Sequence, residues 1–354
     1  MIIENITKND FREINKLLLR NGLSAIEASS SLYSKFQSEN DKSFPLGWKL
    51  LDPDNNIRGV LFSHITEYTI KDKRFFACTM STWAVDEGYR GDNTQRLLEK
   101  CMSQKNIDLL IDGTATAPVA KRLLKSGYFE IHNSDFKEIF FWVTNYKNFF
   151  KFIFSKYKIP KKIFFIIRFI FLFFDYFKMK KNKINTDYEI EMVQTIPDNI
   201  YELFRNNIYF CLKKDKYNIG RRIQNGLNKK KCSILLVKKG NIIKGYAIID
   251  FHLFRDIDVK KITIFDISAL EESEEIIDLI VKKIISYSNN NHCAFVEFYG
   301  VPKYMRKIIV NNKAYRRKFR TSPFYIKVLN DKLLEMEEFK NWSPTLIDTD
   351  RSLY

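Results

Sequence analysis

The sequence is poor in the residues that build metal centres and disulfide frameworks. Its 354 residues include 5 cysteines and 4 histidines. No two cysteines stand in the Cys-x-x-Cys spacing, and the histidines form no ligand pattern with them. We therefore expect no metal site, and we expect unpaired thiols in a reducing compartment.

A long uninterrupted hydrophobic run is also missing. The aromatic segment 163–174 is interrupted by Arg168 and is shorter than the roughly 20 apolar residues that a bilayer-spanning helix needs. The first 16 residues carry charges where a secretory signal has its apolar region. These features predict a cytoplasmic protein, with peripheral attachment to the inner face of the membrane as its closest approach to lipid.

Acidic residues are fewer than basic ones, 42 against 59, and most of the imbalance lies in one segment. The net charge is +17, and the segment 147–183 holds eleven Lys or Arg against the single acid Asp175, which accounts for +10 of it. This distribution argues against a nucleic-acid-binding face spread over the domains. Lys161 and Arg168 recur with Asp175 every seven residues, as on one stripe of a helix. Two interpretations stay open: segment 146–183 lies on an anionic membrane surface, or it connects two domains.

The chain length fits two domains, and the sequence carries signs of a duplication. Segments 48–63 and 233–250 each suggest a strand, a polar turn and a second strand that begins at a glycine, and the two glycines, Gly59 and Gly245, lie 186 residues apart. Segments that start at Glu4 and Glu191 both suggest a strand followed by an amphipathic helix. The near-constant offset predicts two copies of one α/β (α+β mixed-sheet) domain.

The predicted copies have boundaries in the sequence. We expect a first domain at 1–145, a basic, aromatic helical linker at 146–185, a second domain at 186–330 and a tail at 331–354. Each copy mixes parallel and antiparallel strands with helices between them. We expect the strands at 138–144 and 324–328 to belong to the first and second copy respectively, the latter as its closing strand.

Glycine is scarce as well, at 12 residues, yet two glycines flank Tyr89 and Arg90 where a predicted strand enters a helix. The first N–H groups of a helix are unpaired and carry a partial positive charge, and glycine lets a phosphate approach them closely. Arg90 would add a cation that can bind in a bidentate manner. The alternative is a plain structural corner capped by Asp92 or Asn93. The residues alone leave both interpretations open.

Two stretches carry a family resemblance. WAVDEGYRGDNTQRLLEK (83–100) resembles the acyl-CoA-binding motif of the GNAT superfamily of N-acetyltransferases, and GTATAPVAKRLLKSGY (113–128) resembles a later segment of that family. The resemblance implies two tandem GNAT-like domains, as in bacterial double-domain members, with acetyl-CoA or another acyl-CoA as co-substrate. It implies that the coenzyme is held by the end of the strand and the turn, namely by Trp83, Val85, Tyr89, Arg90, Gly91, Asp92, Asn93 and Thr94.

The sequence departs from the family pattern at three places. Asn93 stands where the family usually has a second small residue, and Thr114 stands where asparagine is frequent. Leu123 occupies the position at which many members carry a tyrosine as general acid. The usual acid is therefore missing.

Acyl transfer to an amine asks for positioning and for a base that removes a proton. Candidate bases in the first copy are Asp86 and Glu87 at the end of the strand and His64 and Glu67 on the preceding strand. A capping or solvated acid is the competing interpretation for the strand-end pair. In the second copy the candidates for a shared cleft are Asp266, Glu297 and Tyr299.

Three functions remain open at this point. The first is an N-acyltransferase that acts on an amine, such as an amino sugar used in surface-polysaccharide synthesis. The second is an aminoacyl-tRNA-dependent peptidyltransferase-like enzyme, against which the intact turn argues because a tRNA-fed enzyme needs no pyrophosphate cradle. The third is a non-catalytic, membrane-associated binding or scaffold protein, which Leu123, Asn93 and the acidic, glycine-free strand–helix junction of the second copy favour.

Overall fold

The computed structural model describes residues 1–26, 44–70, 73–113, 115–157, 187–197, 200, 211–212, 223, 226–228, 231–318 and 324–349. Its N-terminal half alternates strands and helices largely as the sequence predicts. The described strands there are β1 Ile2–Asn5, β2 Gly47–Leu51, β3 Ile57–Ile70, β4 Lys73–Val85, β5 Leu109–Asp112, β6 Phe129–Ile131 and β7 Ser134–Val143. The helices are α1 Phe11–Arg20, α2 Asp92–Met102, α3 Ala117–Lys125 and α4 Tyr146–Tyr157. The short strand β6 was not predicted.

The C-terminal half repeats this order. Its described strands are β8 Glu189–Val193, β9 Cys211–Leu212, β10 Cys232–Lys239, β11 Ile242–Phe254, β12 Val259–Ala269, β13 Phe295–Pro302, β14 Tyr315–Lys318 and β15 Phe324–Val328. The helices are α5 Glu274–Asn290, α6 Arg306–Asn311, α7 Lys332–Glu335 and α8 Glu337–Lys340.

Two mixed sheets have matching strand orders. The first sheet runs β1-β2-β3-β4-β5-β15-β6, with β9 beside β3, and the second runs β8-β10-β11-β12-β13-β7-β14. In each sheet one parallel pair, β4 with β5 and β12 with β13, stands among antiparallel neighbours. The matching orders confirm the predicted mixed α/β class with two tandem units.

The two halves exchange strands: besides β9, which pairs with β3, one further strand of each half lies in the sheet of the other half. Strand β15 pairs with β5 and β6 in the first sheet, and β7 pairs with β13 and β14 in the second. We expected these strands to stay in their own copies, and that expectation was wrong. A pattern of apolar residues can predict that a segment forms a strand, but it does not specify which strand it pairs with. The domain boundaries at 1–145 and 186–330 stay a prediction. The exchange shows that each sheet contains strands from both halves of the chain.

The glycine pair that suggested the duplication has a structural explanation. A Cβ atom on Gly59 would lie 3.1 Å from Val85 Cγ2 and 3.3 Å from the Cδ1 of Leu97 on helix α2. A Cβ atom on Gly245 would lie 2.5 Å from the Cγ2 of Ile276 on helix α5. Each glycine therefore lets a helix pack closely onto its sheet.

The space between the sheets is filled by a core to which the C-terminal segment contributes. Trp342 is buried and packs edge-on against Tyr68 and Phe324, with ring centroids 5.5 Å away in both cases. The buried carboxylate of Asp348 accepts a hydrogen bond from Tyr68 Oη at 2.8 Å and one from the backbone N–H of Thr345 at 2.8 Å. Thr345 of the same segment donates from Oγ1 to Asp266 on β12 of the second sheet at 2.9 Å, so the segment connects the two sheets.

Helix α4 is the described part of the predicted linker, and it packs on the second sheet. Phe149 stacks on Phe141 at 6.2 Å between centroids, and Phe152 contacts Phe254 at 4.8 Å. Lys147 and Lys151 are exposed. These contacts support the connector interpretation for residues 146–157, whereas the aromatic stretch 161–178 lies outside the described residues. Among the helices that are described, none is both long and apolar enough to cross a membrane.

Candidate active site

Strands β4 and β5 separate after a short parallel pairing. The pairing covers Ala77 to Thr79 on β4. On its other side β4 stays paired with β3 as far as Val85, and β5 continues to Asp112 beside β15. From Met80 onward, the edge of β4 that faces β5 is therefore outside the ladder. Unpaired strand N–H and C=O groups can bind an extended ligand.

A bulge in β4 lies at the point of separation. Val60 pairs with Ala84 and Phe62 pairs with Ser81, so that Thr82 and Trp83 together lie opposite a single residue of β3. Thr82 has φ 47°, a left-handed conformation that costs a β-branched residue energy. A bulge adds twist and bends its strand. We infer that it turns β4 away from β5.

The turn after β4 leads into helix α2. Gly91 immediately precedes the helix with φ 85°, and no side chain caps the helix at this position. A Cβ atom on Gly88 or on Gly91 would meet nothing within 4 Å. The first-turn N–H groups therefore face accessible space at the positive end of the helix, where an anion is stabilised.

Buried polar atoms without a protein partner are concentrated around this gap. Among the described residues, Oγ1 of Thr79, Oγ of Ser81, Nε1 of Trp83 and Oγ1 of Thr94 are buried and have no hydrogen-bond partner. Leaving such a group unpaired costs about 1–3 kcal/mol. Because native proteins pair most buried polar groups, the cluster indicates a place where a ligand makes the bonds.

The four atoms divide between the two faces of the first sheet. Helix α2 packs Leu97 and Leu98 against Met80, and Trp83 borders the same cluster, which defines the helix face. Successive side chains of a strand point to opposite faces. Thr79 and Ser81 therefore lie on the opposite face, where their cross-strand neighbours are His64 and Phe62.

No family model matches the sequence, and no curated protein matches it. Solved structures do match. A GCN5-related N-acetyltransferase from Anabaena variabilis superposes with TM-score 0.57 at 13% identity, covering 94% of this chain and 74% of that one. Eis1 from Mycobacterium abscessus gives 0.55 at 11% identity, covering 94% and 75%. The N-myristoyltransferase of Saccharomyces cerevisiae with bound myristoyl-CoA gives 0.51 at 8% identity, covering 92% and 82%.

The chain has the GNAT fold. At these identities the likeness establishes the architecture, including a second unit, and confirms the resemblance that the two sequence stretches suggested. The opening between β4 and β5 with a glycine turn at its end lies in the N-terminal GNAT unit. The described residues contain no group of three or more His, Cys, Asp or Glu side chains placed to hold a metal ion.

The second GNAT unit has the equivalent strand–helix junction, with opposite chemistry. Helix α5 is capped by its own Ser273, whose Oγ accepts from the N–H of Ile276 at 3.4 Å. Acidic side chains surround that helix start: Glu271, Glu272, Glu274 and Glu275. Glu271 and Glu272 have φ of 55° and 52°, a left-handed conformation that a glycine would adopt without strain and a glutamate does not. An anion is repelled there.

Asp86 is held in an ion-pair cluster at the end of β4. Arg20 donates from Nε to Oδ1 at 2.8 Å and from Nη2 to Oδ2 at 2.7 Å, and Asn21 donates to Oδ1 at 2.9 Å. Partial burial raises the pKa of Asp86, but the bonds from Arg20 and Asn21 outweigh it and leave the pKa below its usual value. The carboxylate is therefore suited to positioning the turn and poorly suited to taking a proton.

Arg90 is directed back to the protein rather than toward the turn. Its Nε donates to the carbonyl of Val85 at 3.0 Å and its Nη2 to Asn21 Oδ1 at 3.2 Å. Asn93 donates to the carbonyl of Tyr89 at 3.2 Å and accepts from Arg96 at 3.3 Å, so its side chain holds the turn together. Asp92 and Glu87 are exposed.

The remaining two candidate bases lie on opposite faces of β3. His64 is 1% exposed and pairs across the strands with Thr79, on the face opposite to helix α2. Glu67 is three positions further along β3, so its side chain lies on the opposite face, the face of helix α2. There it forms an ion pair with Arg74 at 3.2 Å. The structure therefore brings His64, Thr79 and Ser81 together and leaves Glu67 apart.

The candidates of the second unit are engaged in contacts between side chains. Glu297 is buried, pairs with Lys261, and accepts from Thr263 at 3.2 Å. Asp266 is buried, accepts from Tyr246 Oη, and accepts from Thr345 Oγ1 at 2.9 Å. Tyr299 belongs to the core between the sheets.

Sequence reasoning missed Thr79, Ser81 and Tyr128. Tyr128 is buried and donates from Oη to the sulfur of Met80 at 3.6 Å, whereas Leu123 is fully buried in the same core. Burial raises the pKa of the Tyr128 hydroxyl well above its usual value. For Thr79 and Ser81 the available signal was two hydroxyl residues at alternate positions of a mostly apolar strand, FFACTMSTWAV (75–85).

Proposed function

We propose that the protein is an N-acyltransferase that moves an acetyl or other acyl group from acyl-CoA to an amine. The main support is that β4 has an unpaired edge beyond Thr79 and that the helix which follows this strand begins after Gly91 with no side-chain cap. An extended chain bearing a pyrophosphate fits this combination. The structural likeness to an N-acetyltransferase and to an N-myristoyltransferase with bound myristoyl-CoA supports the same activity.

The proposed coenzyme site uses backbone groups more than charged side chains. The pyrophosphate binds the N–H groups from Gly91 to Thr94, and Gly88 and Gly91 let it approach. The pantetheine arm adds to the β5-facing edge of β4, and Trp83 Nε1 and Thr94 Oγ1 supply hydrogen bonds on the helix face. The guanidinium carbon Cζ of Arg58 lies over the Tyr89 ring, 5.2 Å from the ring centroid, and this contact helps to shape the turn.

The reaction forms a C–N bond and breaks a C–S bond. The amine nitrogen attacks the thioester carbonyl, whose oxygen is stabilised by backbone N–H groups near Val85 as charge develops. The thiolate leaves and takes a proton, and a base removes the proton that the amine loses. We assign the base to His64, because it lies on the face opposite to the coenzyme body and next to the gap.

The second unit is proposed to shape the acceptor cleft without binding a second coenzyme. The capped and acidic start of helix α5 supports this division. The acceptor is proposed to be an amino sugar in surface-polysaccharide synthesis, in the cytoplasm. A basic surface on helix α4, which exposes Lys147 and Lys151, is consistent with peripheral binding to an anionic membrane.

Calorimetric titration of acetyl-CoA into the wild-type protein and the Gly91→Glu variant tests the proposal. We expect wild-type binding and its loss in the variant, because the new side chain fills the approach to the helix and repels phosphate. Gly240→Glu is the matched control. Gly240 also has positive φ, at 58°, and open space around it, but lies in the β10–β11 turn of the second sheet.

Two outcomes would contradict the proposal. If the wild type binds neither acetyl-CoA nor a long-chain acyl-CoA, the acyl-CoA function fails and aminoacyl-tRNA or a scaffold role is tested next. If both glutamate variants bind as the wild type does, the turn at Gly91 does not hold the coenzyme. Equal circular dichroism of the three proteins shows that folding is unaffected.

A further inference from the structure

The acceptor side of the site carries an unexplained pair of hydroxyl groups. Thr79 is fully buried and Ser81 is 4% exposed. Within the described part of the chain, neither Oγ atom has a hydrogen-bond partner. Burying a hydroxyl without a hydrogen bond lowers the stability of the fold, and the described residues supply no such bond to either group.

The position of the pair relates it to the acceptor. Both side chains lie on the face opposite to helix α2, and therefore opposite to the proposed pyrophosphate site at the start of that helix. Thr79 is the last residue of β4 paired with β5, and Ser81 is beyond the separation. An acceptor held at the gap on this face would therefore lie beside both hydroxyls and His64, on the side of the sheet away from the helix start.

We propose that Thr79 and Ser81 bind polar groups of the acceptor, which makes the acceptor a hydroxyl-bearing amine rather than an alkylamine. This inference rests on the proposed acyltransferase function. Two residues along a strand advance about 7 Å, a span that the hydroxyl groups of one sugar ring can bridge. A site built to hydrogen-bond a substrate hydroxyl discriminates strongly against analogues that lack it, because its own groups then stay unpaired.

The inference predicts an unusual combination of stability and activity. Replacing an unpaired buried hydroxyl by an apolar group of similar shape leaves the free protein equally or more stable. Thr79→Val and Ser81→Ala should therefore keep or raise Tm in the absence of ligand. They should lower kcat/KM for glucosamine by about tenfold to a hundredfold each, and leave kcat/KM for cyclohexylamine unchanged.

Ser63→Ala is the matched control. Ser63 is a buried hydroxyl on neighbouring β3, on the other face, and its Oγ donates to the carbonyl of Pro45 at 2.8 Å. Its removal leaves a partner unsatisfied, so Tm should fall while the preference between the two amines stays as in the wild type.

The outcomes separate this inference from the function on which it rests. If the wild type binds neither acetyl-CoA nor a long-chain acyl-CoA, the function itself fails. If acetyl-CoA binds, the inference is overturned when Thr79→Val and Ser81→Ala lose stability as Ser63→Ala does, or when they affect both amines equally. It is also overturned if, in a thermal-shift and turnover panel with acetyl-CoA present, alkylamines serve as acceptors and no hydroxyl-bearing amine does.

Discussion

A partly buried carboxylic acid in the second sheet should make the protein less stable as the pH rises. Burial raises the pKa of Asp250 on β11 to about 6 from 3.8, against the opposing effect of Lys261 and Lys231. A raised pKa in the folded state means that the folded protein binds this proton more tightly than the unfolded chain. The resulting stabilisation is complete below pH 4 and is lost as the pH rises through about 6.

The size of the effect follows from the shift. About two pKa units, at 1.36 kcal/mol each, correspond to about 3 kcal/mol of unfolding free energy lost between pH 4 and pH 8. Asp250→Asn cannot ionise and should not show this loss. The variant should therefore match the wild type near pH 4 and exceed its stability by up to about 3 kcal/mol at pH 8.

Urea unfolding followed by tryptophan fluorescence at the two pH values measures this difference, since Trp142 is buried in the same sheet. Asp256→Asn, which removes one carboxylate from an exposed position of the same unit, serves as control for the change in net charge. The reasoning is refuted if Asp250→Asn is the less stable protein at pH 8. That result would mean that attraction by Lys261 outweighs burial.

Two further predictions concern close packing and the turn. Gly245→Ala should destabilise the protein by about 1–3 kcal/mol and Gly59→Ala by less, since the new Cβ lies 2.5 Å from Ile276 in the first case; denaturant midpoints decide this, and equal losses would contradict it. Arg20→Lys should change Tm little, because the pair is partly exposed, but should weaken acetyl-CoA binding severalfold by releasing Asp86 from its two-bond contact. Calorimetry beside the wild type tests this, and unchanged affinity would separate the ion pair from the coenzyme site.

Much of the secondary structure could be predicted because it depends on local pattern. The polar turns at 52–56 and 239–241, the helix after Gly91 and the strand 324–328 were placed correctly, whereas the strands after the two turns begin at Ile57 and Ile242, two and three residues before the predicted glycines. Apolar periodicity, glycine positions and turn residues act over a few positions, so a sequence window contains them. The duplication was visible for the same reason, since both copies keep the same order of local signals.

The exchange of β7 and β15 could not be predicted in this way. Both strands are rich in apolar and aromatic residues, and that composition fits the interior of either sheet equally well. The pairing partner is chosen by contacts between residues far apart in the chain, and these include the core between the sheets and the C-terminal segment packed into it.

The candidate site divides along the same line. The sequence by itself determined the glycine turn before helix α2, because a helix start and its missing cap are local features of 88–94. Only the tertiary structure decided which candidate bases are available: it fastened Asp86 to Arg20, set Glu67 on the other face, and placed His64 beside Thr79 and Ser81. Ion pairing, sheet faces and burial depend on strands and helices that meet across the fold, and no stretch of sequence contains both partners.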